Sequence, residues 1–483
     1  MPNCNNITPD WVKNAIFYQI FPDRFASSEK VVKPGNLEPW EAVPTVRGFK
    51  GGDLLGVLEN LDYLSDLGIN AIYFNPIFQS ACNHRYHTHD YFEVDPLLGG
   101  NAAFDALLKA AHKRKIRVVL DGVFNHASRG FFQFNHILEC EDKSPYIDWF
   151  HIKGFPLNAY SGKINYLAWW DIPGLPKFNT DNPQVRQYIF DIARFWLDRG
   201  IDGWRLDVPF EIDDEAFWRE FREVVKTANP DAYIVGEIPC EAQRWLAGDQ
   251  FDAVMNYQIT QACLGYFGGD HIDHALAKGF MGLETPPKMS AAEFSARAVQ
   301  LLQIYPKEFS YAQLNLLDSH DMPRFLSLVK EDAQRLYLAM AFLMTYPGAP
   351  CVYYGDEIGL TGGRDPLCRK AFDWNQNNWN IDLLNKIKDL TNLRHAIPAL
   401  RTGSFEPIYT KNDALVYLRK DEHDTVIVCF NLAHEGHSCN LRLTGHVGDG
   451  AYLQSQLDDR GYTVADGALH DLYLEPMSVT ILA

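Results

Sequence analysis

Eight short apolar runs, most of them separated by amphipathic helical stretches, constrain this chain more than any other feature. They lie at 15–22, 69–74, 116–121, 202–208, 233–237, 251–255, 313–318 and 350–354. Between them, 52–67 places Leu54, Leu55, Val57, Leu58, Leu61 and Leu64 at helical spacing, and 97–115, 183–199, 213–228 and 332–346 read as helices too. Alternating strands and helices bury a parallel sheet on both faces. Eight such units predict an α/β chain closed into a (β/α)8 TIM barrel. The doubly wound open sheet is the alternative, but no GxGxxG fingerprint follows any strand.

Two segments break the rhythm. His126 to Phe178 is rich in aromatics, Gly and Pro and shows no helical period, so it reads as a loop-rich insertion rising over the strand ends after strand three. From Thr402 onward, 414–418, 425–430, 440–443 and 478–482 are short strands between polar turns, a small antiparallel β-domain. The expected organisation is therefore barrel 1–126, inserted domain 127–178, barrel again 179–401, and a C-terminal β-sandwich domain 402–483. A chain of 483 residues is long enough for one such barrel and its smaller companion.

A net charge of −18 argues against nucleic acid and anionic membranes, which select basic surfaces. Nine cysteines at irregular spacing form no CxxC and no Cys/His ligand set, and read as reduced, buried thiols. Residues 1–6 have neither a basic start nor an apolar run, so no secretory leader is expected. The longest apolar stretch, Leu338 to Tyr346, stops at Pro347-Gly348 and is too short to span a bilayer. These features predict a soluble cytoplasmic protein.

Polar residues at barrel strand ends face one mouth, where catalysis takes place. Five strand ends here carry them: Asp121 with Asn125 and His126, Arg205 with Asp207, Glu237, Asp318 with His320 and Asp321, and Asp356 with Glu357. Each has a plainer reading alone. Arg205-x-Asp207 could cap a strand, Asp121 and Asn125 could brace loops, Asp356-Glu357 could be a solvated turn, and His320 could sit satisfied in the core. Five together at one mouth favour a site. Several carboxylates with an Arg and two His suit glycoside hydrolysis: one attacks carbon, a second kept protonated by burial serves the leaving oxygen, and a third stabilises positive charge on the sugar. Metal-assisted hydrolysis is the rival, ranked lower because no HxH or HExxH spacing is present.

The motifs resemble the α-amylase family of glycoside hydrolases, family 13, over nearly the whole chain and in family order. They are Asp121-Gly122-Val123-Phe124-Asn125-His126, Gly203-Trp204-Arg205-Leu206-Asp207-Val208, Val235-Gly236-Glu237-Ile238 and Leu317-Asp318-Ser319-His320-Asp321. The resemblance implies Asp207 as nucleophile, Glu237 as general acid/base and Asp321 as transition-state stabiliser, with Arg205, His126 and His320 holding sugar hydroxyls and anomeric configuration retained. Leu175-Pro176-Lys177-Phe178-Asn179 is similar to a motif of the neopullulanase and cyclomaltodextrinase group. So is Asp365-Pro366-Leu367-Cys368-Arg369, whose Asp365 and Arg369 would grip the sugar next to the cleaved one. Asn83-His84-Arg85-Tyr86 resembles the segment that puts a Tyr, here Tyr86, under the reacting ring.

Four departures modify the expectation. The group's N-terminal β-domain, which in relatives completes the partner's site in a dimer, does not precede the barrel, which suggests a more open pocket. His87 replaces an Asp. Val208-Pro209-Phe210-Glu211 replaces Val-Ala-Asn-Glu on the leaving-group side. Ser27-Ser28-Glu29-Lys30 lacks the acidic calcium loop, so no cofactor is required, while a structural Ca2+ near Asn125 stays open. The combination implies cleavage of α-1,6 branches in α-glucan oligosaccharides or polysaccharides, with some α-1,4 activity. A cyclomaltodextrinase, α-amylase or transglycosylase of the same fold is the alternative. A non-enzymatic relative ranks far lower, because Asp207, Glu237 and Asp321 are all retained. Phe405, Tyr409 and Tyr417 read as core or edge residues rather than a glucan platform. A homodimer through another surface stays open beside a monomer.

Overall fold

The computed structural model describes residues 8–279 and 285–483. Residues 1–6, read as lacking a leader, and with them Cys4, therefore lie outside the described residues. Eight strands form one parallel sheet: Phe17–Ile20, Ala71–Phe74, Arg117–Gly122, Gly203–Leu206, Tyr233–Gly236, Ala253–Val254, Leu314–Leu316 and Ala349–Tyr353. In the sheet each strand lies beside its neighbour in sequence, and the first also pairs with the eighth. A parallel bridge from Met255 to Leu314 joins sixth to seventh and closes the barrel. The expected TIM barrel is what forms, with strands shorter than their apolar runs because the last residues of each turn into loops.

Strand alternation sorts the core into two shells. Phe17, Ala71, Tyr73, Val119, Tyr233, Val235, Ala253, Met255, Leu314, Leu316, Ala349 and Cys351 fill the barrel interior. Their neighbours along the strands, such as Tyr18, Ile72, Leu120, Trp204, Ile234 and Val352, face the surrounding helices. Those helices start where polar caps stand: Asn182 accepts from Gln184 N–H ahead of Pro183–Asp198, and Asp214 from Ala216 and Phe217 N–H ahead of Glu215–Ala228. The single helix expected over 52–67 is two, Leu54–Glu59 and Leu61–Asp66. Asn60 ends the first by bonding its side-chain amide to Gly56 O at 2.8 Å, a local bond that competes with the helix ladder.

The segment after the third strand does contain a helix, Phe132–Cys140, contrary to expectation. Its buried residues, Phe134 and Ile137, are one turn apart, a spacing too brief to register among so many aromatics. The rest is irregular and tied down by isolated antiparallel bridges, including His126 to Lys177 and Phe150 to Phe178.

C-terminal to the barrel, Ser404–Lys411, Ala414–Lys420, Thr425–Asn431 and Ser478–Leu482 form an antiparallel sheet. His437–Arg442 pairs with Ala468–Leu474, and Tyr452–Gln454 with Gly461–Thr463. Sequence reading found half of these strands. It missed Ser404–Lys411, a polar edge strand holding Pro407, and the short or polar members of the two-stranded pairs. Tyr417 is fully buried and Phe405 packs on its ring. Buried Arg419 donates to Leu400 O at 2.7 Å and to Gly403 O at 3.0 Å, anchoring this sheet to the barrel flank. Of the eight described cysteines, all free, five are buried while Cys140 and Cys240 are exposed, a departure from uniformly buried thiols. Among the described residues no helix is long and apolar enough to cross a membrane.

Candidate active site

Register alone assembles the centre of the site. The third and fourth strands pair Asp121 with Arg205, and the fourth and fifth pair Arg205 with Val235. Side chains alternate, so Arg205 points inward above Gly203, beside Asp121. Leu206 pairs with Gly236, which puts Asp207 and Glu237 opposite each other one residue beyond the paired strands.

Arg205 is fully buried and serves three carboxylates. Its Nη1 donates to Asp121 Oδ1 at 2.8 Å and Oδ2 at 3.0 Å, and to Asp207 Oδ1 at 3.0 Å. Nη2 lies 2.7 Å from Glu237 Oε1, an ion pair without hydrogen-bond alignment. The other oxygen of Glu237 accepts the Val208 N–H at 3.1 Å. Val208 achieves this with φ +34°, a left-handed conformation that a β-branched residue avoids. Burial raises the pKa of both Asp207 and Glu237 and Arg205 opposes it, while the charge of Glu237 raises Asp207 further and that of Asp321 raises Glu237.

The seventh strand end carries the next layer. Gln19 Nε2 lies 2.9 Å from His320 Nδ1, and His320 Nε2 lies 2.9 Å from Asp321 Oδ2 and 2.6 Å from Tyr86 Oη. Tyr86 Oη donates to Asp121 Oδ2 at 2.9 Å and accepts from Asn75 Nδ2 at 3.1 Å. Burial pushes the Asp321 carboxyl up, but His320 by charge and hydrogen bond, and then Arg369, pull it below the ordinary carboxylate range. Arg369 bonds Asp321 Oδ1 and pairs with Asp365 Oδ1, each at 3.0 Å, while its Nε holds His320 O at 2.8 Å.

On the far wall, buried His126 packs against Trp169 with rings 5.2 Å apart, and Trp169 stacks on Trp170 at 4.5 Å. His126 Nε2 and Trp169 Nε1 are buried without a hydrogen-bond partner, while Trp170 is 72% exposed. Lys177 of the inserted segment donates to Glu211 O at 2.6 Å, linking it to the loop that follows Asp207. Phe210 on that loop is exposed.

The structure thus brings Tyr86, His126, Arg205, Asp207, Glu237, His320, Asp321, Asp365 and Arg369 to one mouth. The other strand-end candidates are buried and brace the fold. Asp318 accepts the Phe325 N–H, and Asp356 binds Arg324 Nη1 at 2.8 Å. Glu357 is no solvated turn; it is buried beneath the hydroxyls of Tyr18 and Tyr63. Sequence reasoning missed Gln19, Asn75, the Trp169-Trp170 stack and the Val208 backbone. It also found no Cys/His ligand set, whereas the loop around Tyr86 gathers Cys82, His84 and His87. Only the Trp-Trp dipeptide carried a visible signal.

A centre of this kind can activate one carboxylate, hold a proton on another and stabilise positive charge between them. Residues 19–423 match the family model described as alpha amylase, catalytic domain. A cyclomaltodextrinase of Bacillus sp is 45% identical over 444 residues, covering 91% of this chain and 76% of that protein. Among solved structures, the protein Ttha1563 from Thermus thermophilus superposes with TM-score 0.94 at 48% identity, covering 98% of this chain and 99% of the other. The Nostoc punctiforme debranching enzyme in its native form gives TM-score 0.90 at 45% identity, covering 99% of each chain.

Proposed function

The chain belongs to the α-amylase family, it is a glycoside hydrolase of α-glucans, and from that premise we propose that it removes α-1,6 branches by a retaining mechanism, with some α-1,4 cleavage. Asp207 attacks the anomeric carbon. Glu237 first protonates the leaving oxygen, then deprotonates the water that releases the sugar. Asp321 stabilises the positive charge that develops at the ring. In retaining enzymes the attacking carboxylate and the acid/base stand about 5 Å apart, the separation this reading requires of Asp207 and Glu237.

One observation carries this reading: a single buried guanidinium holds Asp121, Asp207 and Glu237 together. Asp207 receives an aligned N–H from it, which favours the ionised nucleophile. Glu237 has a shorter but unaligned contact with it and also accepts the Val208 N–H, and in this reading burial keeps the proton on Glu237. His126, His320, Arg205, Asp365 and Arg369 bind sugar hydroxyls, and the Tyr86 ring packs under the reacting sugar. The unpartnered Nε2 of His126 supports such a bond. In this reading the barrel is 1–126 and 179–401, the insert 127–178 and the C-terminal domain 402–483, and free thiols suit a cytoplasmic protein.

The loop after Asp207 carries the branch preference. Pro209 starts a tight 3-10 turn that presents Phe210 outward, and Lys177 braces it from the insert. The likeness to the Nostoc punctiforme debranching enzyme along 99% of the chain supports this choice. The likeness to a cyclomaltodextrinase favours the second reading, an α-1,4 hydrolase. Two glucans of matched length, one with a single α-1,6 branch and one linear, separate them. Release of an intact linear chain from the branched substrate, with slow attack on the other, is expected. Glucose and maltose from both at similar rates would install the second reading.

A further inference from the structure

We propose that Cys82, His84 and His87 form a binding site for a thiophilic divalent transition ion of the Zn2+ class, and that its occupancy weakens glucan binding through Tyr86. One sulfur and two imidazole nitrogens, all within 4.8 Å of one another, converge from six residues of chain. The set is the soft Cys and His donors that Zn2+ selects, with a fourth position for water.

The loop is built to hold them. Ser80 Oγ accepts the Cys82 N–H at 3.2 Å and donates to His87 O at 2.7 Å, which clamps the two ends of the cluster together. Between them Arg85 is fully buried, paired with Asp95 at 2.9 Å, and turns the chain with φ +62°. That turn brings the His84 and His87 rings edge to face at 5.2 Å. Among the described residues neither ring nitrogen of His87 has a hydrogen-bond partner. Zinc bonds of about 2.0–2.3 Å need donors nearer than 4.8 Å, so the three must close by roughly an ångström. His87 is only half-buried and can supply that movement by side-chain rotation. On ligation the Cys82 thiol releases its proton to solvent, and no other bond is made or broken.

The coupling to substrate follows from His84. Its Nδ1 accepts the Tyr86 N–H at 3.2 Å. If the metal takes Nδ1, that lone pair is used. If it takes Nε2, the neutral ring carries its proton on Nδ1. Either way Tyr86 loses this tether, and linkage makes sugar and metal oppose each other. The metal site stands on its own residues; the effect on turnover rests on the proposed place of Tyr86 beneath the reacting sugar.

The test uses the full chain freed of metal by a chelator. Zn2+ titration by calorimetry is expected to show one ion per chain, and Co2+ a thiolate-to-metal charge-transfer band. Cys82→Ser should abolish the band and weaken Zn2+ binding by at least about tenfold. Cys140→Ser should change neither, although Cys140 Sγ lies 3.9 Å from His136 Nε2. Added Zn2+ should raise KM for glucan several-fold in the parent and leave it unchanged in Cys82→Ser, whose metal-free rate should match the parent. Absence of saturable binding, or a band that survives Cys82→Ser, would overturn the site. Binding without a KM effect would overturn the coupling alone. Failure of the glucan assay in every metal-free variant and in the parent would instead strike the proposed function.

Discussion

Replacing Arg205 with Met removes the one cation that three buried carboxylates share. Its contacts with Asp121, Asp207 and Glu237 are 2.7 to 3.0 Å long. At an effective dielectric near 20 each is worth about 6 kcal/mol of Coulomb attraction. Against that stands the desolvation of the guanidinium, several kcal/mol. The contacts are not additive, and the carboxylates soften the loss by taking up protons, so the net cost should be about 3–5 kcal/mol. Proton uptake sets the sign of the pH dependence. Burial already raises Asp207 and Glu237 above the ordinary carboxylate range, and loss of Arg205 raises them further. A carboxyl whose folded pKa is raised stabilises the fold at low pH and loses that advantage as pH rises from its unfolded value toward the folded one. Urea unfolding followed by circular dichroism should therefore show a deficit for Arg205→Met that is small near pH 4 and largest above pH 7. Adding Asp121→Asn should recover part of it. A variant within about 1 kcal/mol of the parent at pH 8, with no pH trend, would refute the assigned electrostatics.

Glu237→Gln should lose about two to four orders of magnitude in rate on natural glucans and far less on substrates with an activated leaving group; equal losses on both, measured as kcat/KM, would remove the acid role. Trp170→Ala, which strips the exposed end of the stack on His126, should raise KM on long glucans about tenfold, with kcat on maltotriose-sized substrates unchanged, as read by initial rates. Arg324→Met leaves Asp318 and Asp356 buried without their cation and should lower the urea midpoint as Arg205→Met does, although Arg324 lies outside the site; an unchanged midpoint would contradict the bracing role.

What the sequence makes legible here is what depends on regular strands. Asp121, Arg205, Asp207 and Glu237 each stand at the end of an apolar run, and period-two alternation alone sends them to one side. His320 and Asp321 follow the seventh strand, Leu314–Leu316, in the loop beyond it, where alternation no longer places them. Tyr86, Asp365 and Arg369 lie on loops, and only their likeness to a family motif pointed to them. Nothing local says that Cys82, His84 and His87 converge. That depends on the buried Arg85–Asp95 pair and a positive φ at Arg85. The Trp169-Trp170 stack needs φ +49° at Trp170, a conformation that no periodicity encodes. Polar, short strands after Thr402 escaped because their pairing, not their composition, makes them strands.

The covalent step is the centre of this account, and trapping it is the most direct test. Glu237→Gln, mixed with a maltosyl donor whose leaving group needs no acid, should form the glycosyl enzyme quickly and hydrolyse it slowly. Mass spectrometry of the quenched digest should find one maltosyl group on the peptide that contains Asp207. Steady turnover of that donor with no adduct, or an adduct carried by Asp321 or another carboxylate, would contradict the mechanism.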